Sequence, residues 1–298
     1  MVFCGKGGVG KSTLAVGAAL SLARSGRSVL VVSSHPIEEL ALSFSLAGLR
    51  EWNPEVASRL YVVHIDPQRV LASIVRSRVR PGRLADMLLA SRIYRSFVEV
   101  VPALKEFAFL WRLKELASRP PEGSSGRFEH LIWDAPATGH FLGTLEVSEH
   151  FEDHFVGPLA DQGAEISSFL RTTDLSVIPV CLAEEMSVDE VLDLIGSLAK
   201  LALRPSAVLC NAVSPLASRG ETPGDAVPVA WAEVGEFIER RGQEERRQYD
   251  RLRSLAGAAV LPVRRLQCAE ANLDFLIRVS EAIEGAGLTG WAGTSDGK

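Results

Sequence analysis

The chain has 298 residues, of which 47% are apolar and 23% are charged, and its formal net charge is −5 at pH 7. This size suits one large α/β domain with an insertion, or two small domains, and the mild acidity gives no support for specific nucleic-acid binding. No apolar run is long enough to span a bilayer, and the N-terminal residues do not read as a signal peptide, so we expect a cytoplasmic protein without an integral membrane segment.

The first element is a short apolar strand, residues 1–4, which is either complete or the end of a strand that starts upstream. It leads into GKGGVGKST, which fits the phosphate-loop pattern G-x-x-x-x-G-K-[ST], and then into a helical pattern over residues 14–24. The backbone N–H groups of such a loop wrap a phosphate at a helix N-terminus. The loop therefore predicts nucleotide binding, with Lys11 at the β and γ phosphates and Ser12 on Mg²⁺. The nucleotide-binding residues of the loop are Gly5, Gly7, Gly8, Val9, Gly10, Lys11, Ser12 and Thr13.

Short runs rich in Val, Ile and Leu recur along the chain, with helical patterns between most of them. The strand-like runs are residues 28–33, 60–65, 130–133, 175–181, 206–210 and 258–261. Their alternation with helices predicts an α/β fold, a doubly wound, mainly parallel sheet of the P-loop NTPase type. Helical patterns occupy residues 37–46, 188–203, 232–255 and 270–283. We expect a nucleotide-binding domain of residues 1–65 and 127–284, followed by a flexible tail over residues 285–298.

Residues 66–126 interrupt the alternation and are predicted to form an inserted helical subdomain. Asp66 and Pro67 suit an N-cap and a first helical residue. Apolar residues at helical spacing form two stripes, which could pack on the core or could carry the specific function. A local cluster of arginines could be a solvated face, or could dock an acidic partner or membrane headgroups. The first stripe is Leu84, Met87 and Leu88, and the second is Val100, Leu104, Phe107 and Trp111.

A second motif, DAPATGH, occupies residues 134–140, directly after the predicted strand 130–133. A carboxylate such as Asp134, at the end of a buried strand beside a phosphate loop, can hold the water shell of Mg²⁺ and sense a γ-phosphate. Together the two motifs resemble the deviant Walker A loop and the switch II segment of the ArsA/Get3 family of ATPases. MinD and ParA proteins lack the T-G-H ending. Residues 183–190 also resemble a family segment.

The resemblance implies a nucleotide-sandwich dimer that binds ATP or ADP with Mg²⁺. Lys6 would reach across the interface to the partner's nucleotide, unless it is simply a solvated surface lysine. Lys6, Lys11 and Asp134 would be the catalytic residues, and Ser12 and Asp134 would hold the metal. Asn211 would contact adenine, although an asparagine that caps a buried strand is the alternative, and Pro262 would lie in a loop that closes over the base.

The partner in the dimer could be a second copy or a paired homologue. By resemblance, the nucleotide state would open and close the dimer, and the helical insertion could present a groove to a hydrophobic protein client. The chain is therefore a predicted ATPase that couples ATP binding or hydrolysis to the handling of a client.

One departure from the family bears on hydrolysis. Family members that hydrolyse ATP carry an aspartate after the second strand, which positions the attacking water, and this chain has His35 there. Imidazole lacks the charge and geometry of the carboxylate. The alternative function is therefore a hydrolysis-deficient regulatory subunit paired with an active homologue. The cysteines form no C-x-x-C pair, which removes the zinc site of eukaryotic Get3 dimers.

Overall fold

A computed structural model of the protein describes residues 1–33, 59–101, 103–118, 128–149, 151, 158–172, 175–214, 232–267 and 271–288. Within these residues, seven strands form one parallel sheet in the order β3-β2-β4-β1-β5-β6-β7. The predicted α/β fold with a doubly wound parallel sheet is therefore confirmed. The strands are β1 (Val2–Gly5), β2 (Val29–Ser33), β3 (Leu60–His64), β4 (His130–Ala137), β5 (Val177–Leu182), β6 (Ala207–Val213) and β7 (Ala259–Arg264).

The described residues also contain ten helices, which cover both faces of the sheet. Four of them, α2 to α5, follow one another between β3 and β4, where the sequence predicts the helical insertion. In chain order the helices are α1 (Lys11–Arg24), α2 (Pro67–Arg78), α3 (Gly82–Ala90), α4 (Arg92–Val100), α5 (Leu104–Ser118), α6 (Thr138–Glu149), α7 (Pro158–Leu170), α8 (Glu185–Lys200), α9 (Ala232–Leu255) and α10 (Leu273–Gly285).

Each face of the sheet has its own apolar core. On one face, α1 packs against α10, with Leu14 and Leu20 buried beneath them. On the other face, α5 of the insertion packs against the sheet, and Phe109 lies 5.1 Å from the ring of Trp133 on β4. Since α5 shares this core, buried aromatic contacts anchor the insertion to β4, the strand that contains Asp134.

The insertion confirms one local prediction and corrects another. Asp66 caps α2 by accepting the Gln68 N–H at 2.8 Å, as the Asp-Pro pair predicts. The predicted continuous stripe from Val100 to Trp111 is wrong, because α4 ends at Val100 and α5 begins at Leu104. Val100 is exposed, whereas Leu104 and Phe107 are buried in the core. The spacing of these apolar residues predicts one helix, whereas the structure has two.

Several predicted bounds shift, and some predicted elements cannot be compared. β4 continues through the first half of DAPATGH to Ala137, and α6 begins at Thr138 without an intervening loop. The predicted helix over residues 37–46 lies outside the described residues, as does His35. In the part of the chain that is described, no helix is both long and apolar enough to cross a membrane.

Candidate functional site

The glycine-rich loop lies at the carboxyl end of β1, where strands of the two halves of the sheet diverge. This is the point at which open α/β sheets bind ligands. Gly10 caps α1 with φ +92°, and a Cβ there would collide with the amide of Asn211 on β6. A Cβ on Gly7 or Gly8 would instead meet nothing within 4 Å. The loop is therefore packed tightly against β6 on one side and open on the other, so a phosphate can approach its backbone N–H groups from the open side.

Lys11 is the first residue of α1, and its side chain is largely buried inside the loop. Its Nζ donates to the carbonyl oxygen of Lys6 at 2.9 Å. Burial lowers the pKa of Lys11, and the charge of Asp134 acts in the opposite direction. A partly desolvated ammonium group gains from an anion placed beside it, so the surroundings of Lys11 favour a phosphate.

Asp134 lies near this lysine and within β4, which continues to Ala137, so the expected position at the end of the strand is wrong. In the sheet, Asp134 is in register with Phe3 of β1 and with Ser33 of β2. Asp134 is therefore flanked by the strand that leads into the phosphate loop and by the strand that precedes His35. The carboxylate is buried, at 1% exposure. Close by in sequence, the Thr138 hydroxyl is buried and has no hydrogen-bond partner within the described residues. Carboxylate and hydroxyl oxygens are the ligands that Mg²⁺ prefers, so the chemistry of Ser12 and Asp134 fits this ion, and the binding of Mg²⁺ by the two residues stays a prediction.

Lys6 does not point freely into solvent. Its Nζ donates to Oε1 of Glu190 on α8 at 2.6 Å, and both side chains are about two-fifths exposed, at 41% and 40%. Glu190 ends the segment of residues 183–190 that resembles the family, so the sequence contained a signal for this residue but not for the contact. Lys6 therefore has a partner within its own chain.

Asn211 lies against the phosphate loop, not apart from it. Its Nδ2 donates to the carbonyl oxygen of Val9 at 2.9 Å, and its Oδ1 accepts the N–H of Ala212 at 2.8 Å. The prediction that Asn211 contacts adenine stays a prediction. What the structure adds is a direct bond between this residue and the loop, which spacing in the sequence does not indicate.

Pro262 is placed differently from the expectation. We expect it in a loop after the last strand, but β7 continues to Arg264, and Pro262 pairs in register with Cys210 of β6. Because β7 is the edge of the sheet, a proline is tolerated there. The residue lies beside the strand that carries Asn211, and its contact with a nucleotide remains a prediction.

The parallel sheet, the glycine-rich loop at its switch point and the buried Lys11 near Asp134 define a nucleotide-binding protein of the P-loop class. Residues 1–173 match the family of anion-transporting ATPases. This match covers more than half of the chain, so the chain belongs to that ATPase family.

Curated relatives agree with this assignment. The chain is similar to the ATPase BagA of Mycobacterium tuberculosis, with 25% identity over 75% of this chain and 70% of the relative. It is similar to an arsenical pump-driving ATPase of Acidiphilium multivorum, with 27% identity over 77% of this chain and 41% of the relative. It is also similar to the ATPase GET3 of Malassezia globosa, with 26% identity over 70% of this chain and 71% of the relative.

Proposed function

We propose that the protein binds ATP with Mg²⁺ in the cytoplasm and uses the bound nucleotide to open and close a dimer. The observation that carries this proposal is the environment of Lys11, which is buried inside an open glycine-rich loop beside Asp134. Family membership supports ATPase activity. The buried charge, the open loop and the family agree on one class of ligand, a nucleoside triphosphate.

Different residues of this chain would bind different parts of the nucleotide and its metal ion. The loop N–H groups would hold the β-phosphate, and Lys11 would neutralise the β and γ phosphates. Mg²⁺, held by Ser12 and through water by Asp134, would supply positive charge to the same phosphates. Asp134 would also connect the γ-phosphate to α6, because strand and helix follow without a loop.

The same proposal covers the dimer and the client. Lys6 would exchange Glu190 for the nucleotide of the partner, which is a second copy or a paired homologue. The insertion of residues 66–126 would present to a hydrophobic client the α3–α4 apolar face. This face consists of the exposed side chains Leu84, Met87, Leu88, Ile93, Phe97 and Val100. Since α5 packs against β4, a closing movement at the nucleotide site would be transmitted to the insertion.

Isothermal titration calorimetry with ATP and ADP in the presence of Mg²⁺ tests the first step. Loss of a charge-assisted hydrogen bond costs about 1.5–3 kcal/mol, so Lys11→Ala should weaken ATP binding about 10- to 150-fold. Lys200→Ala, an exposed lysine at the end of α8, should leave the affinity unchanged. Wild-type protein that binds neither nucleotide would refute the proposal.

His35 favours a second candidate, a regulatory subunit that binds ATP and does not hydrolyse it. A positioned proton acceptor contributes about 10²–10⁴-fold to such reactions, so His35→Asp should raise phosphate release toward the lower end of that range. Ser34→Asp is the matched neighbouring control. If wild-type protein alone turns over ATP at a rate that His35→Ala leaves unchanged, the second candidate fails.

A further inference from the structure

A buried carboxylate on α9, Glu245, joins the carboxyl ends of the last two strands. Its side chain is only 7% exposed. Oε2 accepts the N–H of Ser214, directly after β6, at 3.0 Å, and Oε1 accepts from Nη2 of Arg265, directly after β7, at 3.1 Å. Arg241 adds a second positive charge, 3.4 Å from Oε1. With both oxygens engaged, Glu245 holds the two strand ends in a fixed relation to α9.

Arg265 carries this constraint into the strand that bears Asn211. Its Nε donates to the carbonyl oxygen of Ala212 at 3.2 Å, and its backbone N–H donates to the carbonyl oxygen of Val213 at 2.8 Å. The pairing of β6 with β7 is irregular between Cys210 and Val213, and Ala212 has φ +53°. A left-handed alanine is unfavourable by itself, so the surrounding contacts must maintain this bulge.

The bulge sets the direction of Asn211. Ala212 donates its N–H to Oδ1 of Asn211, which leaves Nδ2 to donate to the carbonyl oxygen of Val9 in the phosphate loop. A change in the backbone at Ala212 would move the acceptor side of the amide and with it the bond to Val9. The loop conformation therefore depends on a strand that is 202 residues away in the sequence.

We infer that Glu245 is a positioning residue for the phosphate loop. It fixes the β6 bulge through Arg265 and Ser214, and the bulge holds Asn211 against Val9. Asn211 consequently acts on the phosphate side of the site, whatever it also does at a base. This inference rests on the proposed function, because it requires the loop to bind phosphates, and it adds a residue that does not touch the nucleotide.

Two probes separate an effect on the loop from an effect on the base: ATP and inorganic tripolyphosphate, each with Mg²⁺, measured by calorimetry. Glu245→Gln keeps the shape of the side chain, but its amide cannot accept from both Ser214 and Arg265. We expect the variant to weaken binding of both probes by about tenfold, within the 5- to 150-fold range typical of coupling between sites. An equal loss for tripolyphosphate, which has no base, shows that the effect passes through the loop.

A double-mutant cycle distinguishes positioning from general stabilisation. Asn211→Ala should weaken both probes at least as much as Glu245→Gln, and the double variant should bind no worse than Asn211→Ala alone. Glu236→Gln, the same change at an exposed position of α9, is the matched control and should bind like wild type. Unchanged affinity in Glu245→Gln, or additive losses in the double variant, would overturn the inference.

These experiments also distinguish failure of the positioning role of Glu245 from failure of the proposed function and from misfolding of the variant. Wild-type protein that binds neither probe refutes the proposed function, whereas normal wild-type binding with a neutral Glu245→Gln refutes only the positioning role. If Glu245→Gln does not fold, Arg265→Lys carries the test, because it keeps the charge opposite Glu245 and removes the bond from Nε to Ala212. We expect it to weaken both probes as well, and normal binding by this variant would contradict the inference.

Discussion

Lys6 has two counter-ions available to it, one in its own chain and one in the proposed dimer. The structure shows the first, Glu190 on α8. A partly exposed ion pair contributes about 0.2–1 kcal/mol, because water screens both charges. Such a pair is weak enough to be exchanged for a phosphate of the partner's nucleotide, which carries more charge. Glu190 is therefore expected to compete with dimer formation.

Removing this competitor should strengthen the dimer. Glu190→Gln is expected to tighten ATP-dependent dimerisation of the protein with itself by about 2- to 30-fold, because each of the two subunits releases one ion pair of about 0.2–1 kcal/mol. Sedimentation velocity over a series of protein concentrations, with ATP and Mg²⁺, measures the change.

Two variants frame that result. Asp193→Asn removes an exposed carboxylate from the same helix and should have no effect, and Lys6→Ala should abolish the nucleotide-dependent dimer. A weaker dimer in Glu190→Gln would mean that Glu190 supports the interface and does not compete for Lys6.

At the scale of elements, the packing of α1 on α10 sets the direction of the helix that begins at the phosphate loop. Gly17 lies at the contact, where an added Cβ would stand 2.5 Å from Cγ1 of Val279 and 3.1 Å from Cδ1 of Ile283. The glycine thus lets the two helices approach closely. The sequence alone reads it as an unfavourable residue inside a helix rich in alanine and leucine.

Gly17→Ala should therefore destabilise the protein, although alanine is the better helix former. Overpacking costs about 1–3 kcal/mol, against a gain of about 1 kcal/mol in helix propensity. Urea unfolding should show a lower free energy of unfolding, and adding Val279→Ala to the Gly17→Ala variant should recover part of the loss.

Gly196→Ala is the matched control. An added Cβ at Gly196 meets nothing within 4 Å, so this substitution should stabilise α8 by up to about 1 kcal/mol. If both glycine substitutions stabilise, the contact with Val279 is not tight.

The elements also show where periodicity succeeds and where it fails. The helical pattern over residues 232–255 predicts a helix with the bounds that the structure has, and no proline interrupts these residues. The predicted stripe from Val100 to Trp111 is wrong, because apolar spacing carries no information about where one helix ends and the next begins. Pro102 stands between the two helices in the sequence, and a proline lacks the backbone N–H that a helix interior requires, so the residue type carries the signal that the spacing lacks.

At the scale of the whole molecule, the described surface is uneven in its exposure of apolar side chains. Six of the large exposed ones lie on α3 and α4, and Ile93 is the most exposed at 82%. The two helices contact each other, and large exposed apolar side chains that share one region of the surface usually mark a binding surface. They lie on the insertion, which packs through α5 against β4, the strand that carries Asp134, and the proposed control of client access by the nucleotide rests on this connection.

Replacing two residues of this face should separate client binding from folding. Ile93→Ser with Phe97→Ser should change the free energy of unfolding by no more than about 0.5 kcal/mol per site, because both side chains are exposed. The same variant should lose most of its binding to a fluorescent apolar helical peptide, measured by anisotropy, while its ATP affinity stays at the wild-type value.

Leu255→Ser, an exposed apolar residue at the end of α9, is the control and should bind the peptide normally. If the control loses peptide binding to the same extent, the interaction is non-specific. Peptide binding that survives in the double variant would remove the α3–α4 face from the proposed function.

The sequence by itself determined the phosphate-loop motif from Gly5 to Thr13, the DAPATGH motif that begins at Asp134, and the parallel α/β sheet. These features follow from the identity of neighbouring residues and from the short spacing of apolar residues, both of which can be read from the amino-acid sequence. Only the tertiary structure decided that Lys6 pairs with Glu190, that Asn211 bonds to Val9, and that Glu245 joins Ser214 to Arg265. The first two contacts join residues 184 and 202 positions apart, and no local propensity specifies them, because the order of the strands brings their partners together.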